Sequence, residues 1–384
     1  MKLIILNLPR NFDEQSLALL FKKMKYLFTI LFIYSLSAIS DPIDKIIHIV
    51  PAIDETPQVI SKGDAADDPA IWLNKLNPNR SLVFGTDKRS GIYTYNLKGE
   101  KIGYTEIGDV NNIDVRTMNI TDDDNKDIGS YSFIFASNRT TNTLDIWAYK
   151  DTNIDKAVKD NNFEISKEPY INAKANMVVY GVCAGIDAKF GLVAFLTEDE
   201  GPKVQMWNYG PFGMTLLTTF DNENATQSEG CVYDDENRTL FISEEQDRGV
   251  LRAYKINNEL DFSNPIIVDN RSGNIDGDPE GVTVYKSSEK DGYLIVSSQG
   301  DSSFNIYNRQ EPYDYLGSFK VGSNKDIDNV NDTDGIDVIN FNLGYKYPMG
   351  LFVVQDGTND GKNKVKRQNF KYVSFADVLK KLDL

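Results

Sequence analysis

Carboxylates dominate the residues of this chain that could do chemistry. They gather in turn-rich segments, the first Asp67-Asp68-Pro69-Ala70-Ile71-Trp72 and the last Asp328-Asn329-Val330-Asn331-Asp332-Thr333-Asp334-Gly335-Ile336-Asp337, in a sequence with one histidine and two cysteines. So little imidazole and thiolate leaves a soft metal without ligands and a nucleophilic relay without its base. What remains is oxygen chemistry around a hard cation, and calcium, which takes about six to eight oxygen ligands, is the first expectation.

Charge narrows the partners. The 384 residues are 41% hydrophobic and 26% charged, enough to bury a large core, and the formal net charge is −16. Such a surface repels nucleic acid, anionic lipid and phosphate alike. An anionic partner is expected only at a local basic island or across bridging cations, and neither nucleic acid nor a membrane is an expected partner.

The elements that must position these groups read as strands. Ser81–Thr86, Gly91–Tyr95, Tyr131–Ala136, Leu192–Leu196, Leu240–Ser243 and Tyr293–Ser297 are short, β-branched or aromatic, and bounded by turn residues. One helix is expected after the N-terminal region, over Phe375–Leu382, where apolar residues recur at helical spacing. A weak repeat links Tyr93-Thr94-Tyr95, Ile146-Trp147-Ala148-Tyr149, Met206-Trp207-Asn208-Tyr209, Leu251-Arg252-Ala253-Tyr254 and Asn305-Ile306-Tyr307. Its interval of about 45 to 60 residues is close to one four-stranded propeller blade, and five or six such units fit the chain. A propeller would carry loops far apart in sequence to one mouth of a central channel; a pair of β-sandwiches would leave them unrelated.

The N-terminal region carries a different signal. Met24-Lys25-Tyr26, the apolar run Leu27 to Leu36 and the small residues Ser37-Ala38-Ile39-Ser40 have the order of a secretory signal, so secretion or a periplasmic location is expected. Residues 24–40 are the expected signal peptide, 1–23 an upstream extension outside the mature protein, and 41–384 one domain. Lys2 to Pro9 and the apolar stretch after it resemble the opening of an RNA-recognition motif, but no aromatic partner strand follows, and RNA binding is not expected.

Ten short motifs then occur in order: Asp67-Asp68-Pro69-Ala70-Ile71-Trp72, Thr86-Asp87-Lys88-Arg89-Ser90-Gly91, Asn111-Asn112-Ile113-Asp114-Val115-Arg116, Ala136-Ser137-Asn138-Arg139, Tyr180-Gly181, Gln227-Ser228-Glu229-Gly230, Ile242-Ser243-Glu244-Glu245, Asp278-Pro279-Glu280-Gly281, Ser297-Ser298-Gln299-Gly300-Asp301, and Asp332-Thr333-Asp334-Gly335-Ile336-Asp337. Together, over about Asp64 to Phe370, they resemble the β-propeller phytases, the alkaline, calcium-dependent family. The resemblance implies an all-β, six-bladed β-propeller acting, as a monomer, on phytate or calcium-phytate. It implies a 3-phytase that releases phosphate by attack of a calcium-activated water. Asp67, Asp68, Glu229, Glu245, Asp278, Glu280, Gln299 and Asp328 would hold several Ca2+ ions, with Asp114 at a further, structural calcium position. Lys88, Arg89, Arg139 and Tyr180 would contact phosphate, and Glu245 would serve the catalytic step as well.

These residue types also make sense on their own. Crowded carboxylates repel and raise one another's pKa, and bound cations relieve that repulsion and turn the local field attractive to phosphate. Taken singly, each Asp-Asp-Pro or Asp-Gly step is an ordinary turn. Glu244 and Glu245 alternate, so one of the pair faces the channel, and the resemblance selects Glu245. Trp72 reads as core, and Asp122 to Asp127 as a solvated loop. Asp199 stands where the family offers a lysine: either Lys203 reaches in from farther along, or another calcium substitutes for the lost charge, or the second phosphate subsite is weakened.

Competing chemistries lack their residues. His48 has no Arg-His-Gly context for a phosphohistidine, and Cys231 to Arg238 has neither the length nor the glycines of a cysteine-phosphatase loop. A calcium-propeller lactonase would need a base that the absent second histidine does not supply. A non-catalytic, calcium-stabilised propeller that binds a glycan or protein is the alternative. Cys183 and Cys231 are either one disulfide or two buried thiols.

Overall fold

Polar turns cut the chain into strands of 2 to 12 residues, and within the blades neighbouring strands pair antiparallel before the chain moves on. A computed structural model describes residues 45–122, 124–210, 213–246, 249–360 and 367–384; the expected extension and signal peptide over 1–40 lie outside the described residues.

Six sheets follow in sequence, here called blades 1 to 6. Blade 1 is Ala66–Trp72, Leu82–Asp87, Gly91–Asn96 and Lys101–Glu106; blade 2 is Val110–Thr121, Asp127–Asn138, Thr143–Lys150 and Ile171–Lys174. Blade 3 is Val179–Asp187, Gly191–Glu198, Lys203–Gly210 and Gly213–Asp221; blade 4 is Ser228–Asp234, Thr239–Glu244, Val250–Lys255 and Ile266–Asn270. Blade 5 is Val282–Lys286, Gly292–Ser298, Ser303–Asn308 and Tyr315–Gly322. Blade 6 takes Ile336–Ile339, Leu351–Asn359 and Arg367–Ser374 from the C-terminal part and its outermost strand, Asp54–Glu55, from the N-terminal part. Just before it, Ile47–Pro51 lies parallel to Tyr315–Gly322 as a fifth strand of blade 5, so the chain's two ends together close the ring. The repeated aromatic segments of the sequence are the third strands of blades 1 to 5.

The hydrophobic core is divided into six clusters, each between two neighbouring blades. Trp72, Phe84 and Trp147 lie between blades 1 and 2, Phe135 and Leu196 between 2 and 3, and Phe195 and Tyr233 between 3 and 4. Phe241 and Val296 lie between blades 4 and 5, Phe304 and Phe352 between 5 and 6, and Tyr95 and Phe370 between 6 and 1. Each blade is thus apolar on both faces, which explains why its strands read as continuous apolar runs and not as strict alternation. This is a six-bladed β-propeller. Trp72 is core, as its sequence context suggests, and its indole N–H donates to Ser132 Oγ at 2.7 Å.

The C-terminal helix forms over Phe375–Leu382 and packs Phe375, Val378 and Leu379 against blades 5 and 6. A second helix, Asp151–Lys159, departs from the single helix expected. It is short, with Ile154 and Val158 as its apolar anchors, and its position is set by polar groups. Asp151 accepts from Ser130 and Ser132, and Asp155 from Asn74, Asn77 and Arg80. Cys183 and Cys231 form a disulfide between the innermost strands of blades 3 and 4, with Cα atoms 5.6 Å apart. Among the described residues no helix is long and apolar enough to cross a membrane.

Candidate active site

Two rings of side chains define one mouth of the channel, and strand geometry sets both. In blades 1 to 4 the pairing of the innermost with the second strand is interrupted at its start, between Ala66 and Pro69, Val110 and Ile113, Val179 and Val182, and Ser228 and Cys231. The interruption turns a pair of residues out of the ladder. These pairs are Asp67-Asp68, Asn111-Asn112, Tyr180-Gly181 and Glu229-Gly230, and Glu280-Gly281 and Asp334-Gly335 take the same place before the innermost strands of blades 5 and 6. The glycines are required by closeness: a Cβ on Gly230 would lie 1.9 Å from the Glu280 carbonyl oxygen, and one on Gly181 2.0 Å from that of Glu229. The inner ring is therefore Asp67, Asn111, Tyr180, Glu229, Glu280 and Asp334.

The outer ring comes from the ends of the second strands. Lys88, Arg139, Asp199, Glu245 and Gln299 each donate a backbone N–H to a carbonyl two residues before the turned-out pair, those of Ala65, Asp109, Val178, Gln227 and Asp278. Cations thus face inward from blades 1 and 2, and a carboxylate and an amide from blades 4 and 5.

Carboxylates converge on the blade 4 and 5 side. Glu229, Glu245 and Glu280 each place an oxygen within 4.8 Å of the others, and all three are at most 9% exposed. Asn111 ties the triad to Asp67, donating to Glu229 Oε1 at 2.5 Å and to Asp67 Oδ2 at 3.1 Å. Burial and the neighbouring Glu229 push Glu245 up to about 10, and burial with Glu245 and Glu229 raises Glu280 well above the carboxylate range. Burial also acts to raise Glu229, but the Lys88 charge and hydrogen bonds from Glu245, Glu280 and Tyr180 outweigh it and hold Glu229 below its ordinary value. Two acids of the triad are thus shifted towards the protonated form and one towards the charged form. Glu245 Oε1 and Glu280 Oε2 are buried without a hydrogen-bond partner, a costly state for a carboxylate. Donor type, spacing and unpaired oxygens all fit a hard cation at this place.

On the other side, Lys88 Nζ lies 3.0 Å from Asp67, 2.9 Å from Asp64 and 3.9 Å from Asp334. Burial works against its charge, but these acids and Glu229 keep it protonated far above its usual range. Arg139 lies over the Tyr180 ring, 5.1 Å from its centroid, and donates to Asn111 at 3.2 Å and to Asp199 at 2.8 Å. The Tyr180 hydroxyl keeps its proton, because burial and the charges of Glu229 and Glu245 raise its pKa well beyond the ordinary phenol value. Lys88, Arg89 and Arg139 line an open cavity of about 430 Å³ together with Asp64, Asp109, Val178 and Asp199.

Comparison with known proteins places the chain in a family. The model of the family described as Phytase matches residues 27–384. The 3-phytase of Bacillus subtilis (strain 168) is 35% identical over 341 residues, which cover 87% of this chain and 85% of that protein. The chain belongs to the phytase family. A luciferin-regenerating enzyme (13% identical, TM-score 0.48, 82% of this chain and 93% of that one) is a distant likeness among solved structures. Another is a nutrient-binding protein of Bacteroides thetaiotaomicron VPI-5482 (9% identical, TM-score 0.48, 85% of this chain and 76% of that one). Neither bears on the chemistry.

Within this phytase, the expected site residues fall in four places. Asp67, Glu229, Glu245, Glu280, Lys88, Arg139 and Tyr180 meet at the mouth, with Arg89 beside Lys88, where its Nε donates to the Asp64 carbonyl at 2.8 Å. Asp278 and Gln299 are at the rim: Asp278 pairs with Arg271, and Gln299 donates to Asp334 at 2.8 Å. Asp68 turns the other way from Asp67, into the channel, where it accepts from the Ile113 N–H at 3.0 Å. Asp114 is in the channel too, accepting from Arg116 at 2.6 Å and from the Ala184 N–H at 2.8 Å.

Asp328 does not join the triad. Its carboxylate pairs with Lys371, a fully buried cation of blade 6 that also holds Asp356 at 3.0 Å. Asp334 takes the mouth position on blade 6 instead, and Asn111 that on blade 2; neither was among the expected ligands or phosphate contacts. Asp334 was visible in the sequence as a member of the repeated pair, since Glu229-Gly230, Glu280-Gly281 and Asp334-Gly335 each precede a short β-branched strand; Asn111, followed by Asn112, lacks that signal.

Proposed function

We propose that this chain is a calcium-dependent 3-phytase, removing one phosphate at a time from phytate by direct attack of water, after export through the signal peptide at residues 24–40. The carrying observation is the Glu229, Glu245 and Glu280 triad, with buried unpaired oxygens, opposite Lys88 and Arg139 in a chain of the phytase family.

Glu229, Glu245 and Glu280 are proposed to hold Ca2+, with Asp67, Asp334, Asp278 and Gln299 completing the ligand set for further ions. Asp68 and Asp114 would serve a structural site in the channel, and Asp328 one beside blade 6. When bound at the mouth, calcium supplies charge neutralisation of the phosphate and of the triad, and a lowered pKa for water.

The side chains do the remaining work. Lys88, Arg89 and Arg139 bind phosphoryl oxygens and meet the negative charge that develops as the P–O ester bond breaks. Tyr180, protonated throughout, offers an O–H donor to the same oxygens and supports the Arg139 guanidinium with its ring. Glu245 orients the attacking water through Oε1 and accepts its proton as the new O–P bond forms; the inositol oxygen leaves with the P–O bonding pair and takes a proton from solvent to become a hydroxyl. Asn111 holds Asp67 and Glu229 in register, so the acidic and basic halves of the mouth keep their spacing.

Two readouts test the finer assignment. With chirally oxygen-labelled phosphate ester, direct water attack inverts configuration at phosphorus, and net retention would require a protein nucleophile. The first inositol pentakisphosphate formed should lack the 3-phosphate; loss of another phosphate would contradict the 3-phytase assignment.

A further inference from the structure

The outer ring contains one member whose charge opposes its surroundings. Lys88, Arg139, Glu245 and Gln299 occupy the same position on blades 1, 2, 4 and 5, and each takes part in the mouth. On blade 3 that position is Asp199, whose backbone N–H donates to the Val178 carbonyl at 2.9 Å. The same strand geometry that delivers Lys88 and Arg139 therefore delivers a carboxylate to the cationic side, among the lining residues of the 430 Å³ cavity.

Arg139 is held by both edges. One nitrogen donates inward to Asn111, which bridges to Glu229 and Asp67; the other donates outward to Asp199 Oδ2 at 2.8 Å. A guanidinium edge binds a carboxylate and a phosphate in the same way. The nitrogen on the side of the open cavity is already engaged by Asp199.

We infer that Asp199 is a specificity-determining residue: an internal anion that holds the outward edge of Arg139 and competes for it with a second phosphate of a polyphosphorylated substrate. The inference rests on the phosphate-contacting role proposed above for Arg139. A substrate with a single phosphate at the cleavage position meets Lys88 and the inward side of Arg139, and leaves the Asp199 pair intact. A substrate with neighbouring phosphates must displace Asp199. The pair is partly exposed, with 34% and 21% of the two side chains accessible, so the competition is modest, on the order of a few-fold in affinity.

The test compares the mature chain with Asp199→Asn and Asp199→Lys in calcium, on phytate and on phenyl phosphate, with thermal unfolding to show that both variants fold. Asp199→Asn should lower KM for phytate about three- to fivefold, with kcat within about twofold, and leave KM for phenyl phosphate unchanged. Asp199→Lys should lower the phytate KM further. An unchanged or raised phytate KM, or an equal shift on both substrates, overturns the inference. A parent chain that releases no phosphate would refute the proposed function separately. Calorimetric binding of phytate then still decides the role of Asp199: tighter binding by Asp199→Asn supports it and equal binding overturns it.

Discussion

At the scale of single residues, burial favours the protonated form of the mouth carboxyls, and the proposed calcium would take the place of those protons. Glu245 is pushed up to about 10 and Asp334 to about 7, from ordinary values of 4.5 and 3.8, chiefly because burial disfavours their charged forms. A carboxyl whose folded pKa lies above its unfolded one binds protons more tightly in the fold, so it favours folding at low pH and costs stability as pH rises between the two values. Chelated protein should therefore lose melting temperature as pH climbs from about 5 towards 9, and added calcium should flatten that decline; thermal unfolding across pH with and without chelator measures it. Glu245→Gln should act in opposite directions on the two properties. Without calcium it removes a repelling charge and should leave the melting temperature equal or higher. With calcium it removes a ligand and should cut phosphate release by roughly 100-fold.

At the scale of elements, the turned-out residue pairs are what make site residues of distant segments. The pairs recur because the innermost strand is interrupted at its start in blades 1 to 4 and begins just after the pair in blades 5 and 6, and where the next blade's carbonyl comes within van der Waals distance the second residue is glycine. Only Asp68 and Asn112 break that pattern, on the two blades whose mouth positions carry Asp67 and Asn111. The disulfide joins the strand of Tyr180 to the strand of Glu229, closing a separation of 48 residues. On a chain-entropy estimate a loop of that length contributes about 4 kcal/mol. Replacing both cysteines by serine should lower stability towards that amount in denaturant unfolding, and should weaken phosphate release before the fold is lost.

Much at this scale was legible. The third strands announced themselves by aromatic repeats, and the ordered motifs contain Lys88, Arg139, Glu229, Glu245 and Glu280, which the fold brings to one mouth. Asp328 and Asp68 were not separable from the mouth acids, because direction along a strand and the presence of Lys371 are properties of packing. The short helix Asp151–Lys159 escaped because its two apolar anchors make too little periodic signal, and its serine and asparagine contacts come from other segments.

At the scale of the whole molecule, the net charge of −16 and the phosphate-binding task pull against each other. The fold reconciles them by segregation: the six blades carry cations to one side of a single mouth and gather carboxylates on the other, where calcium is proposed to cancel them. On that proposal the loaded mouth would attract a polyanion that the acidic surface elsewhere repels. The initial rate of phosphate release from phytate, measured by the mature chain against free calcium, tests this most directly. The account predicts no release in chelator, a saturable rise as calcium is restored, and a rise that Glu245→Gln abolishes although the variant remains folded. Equal release with and without calcium by the folded protein would contradict it.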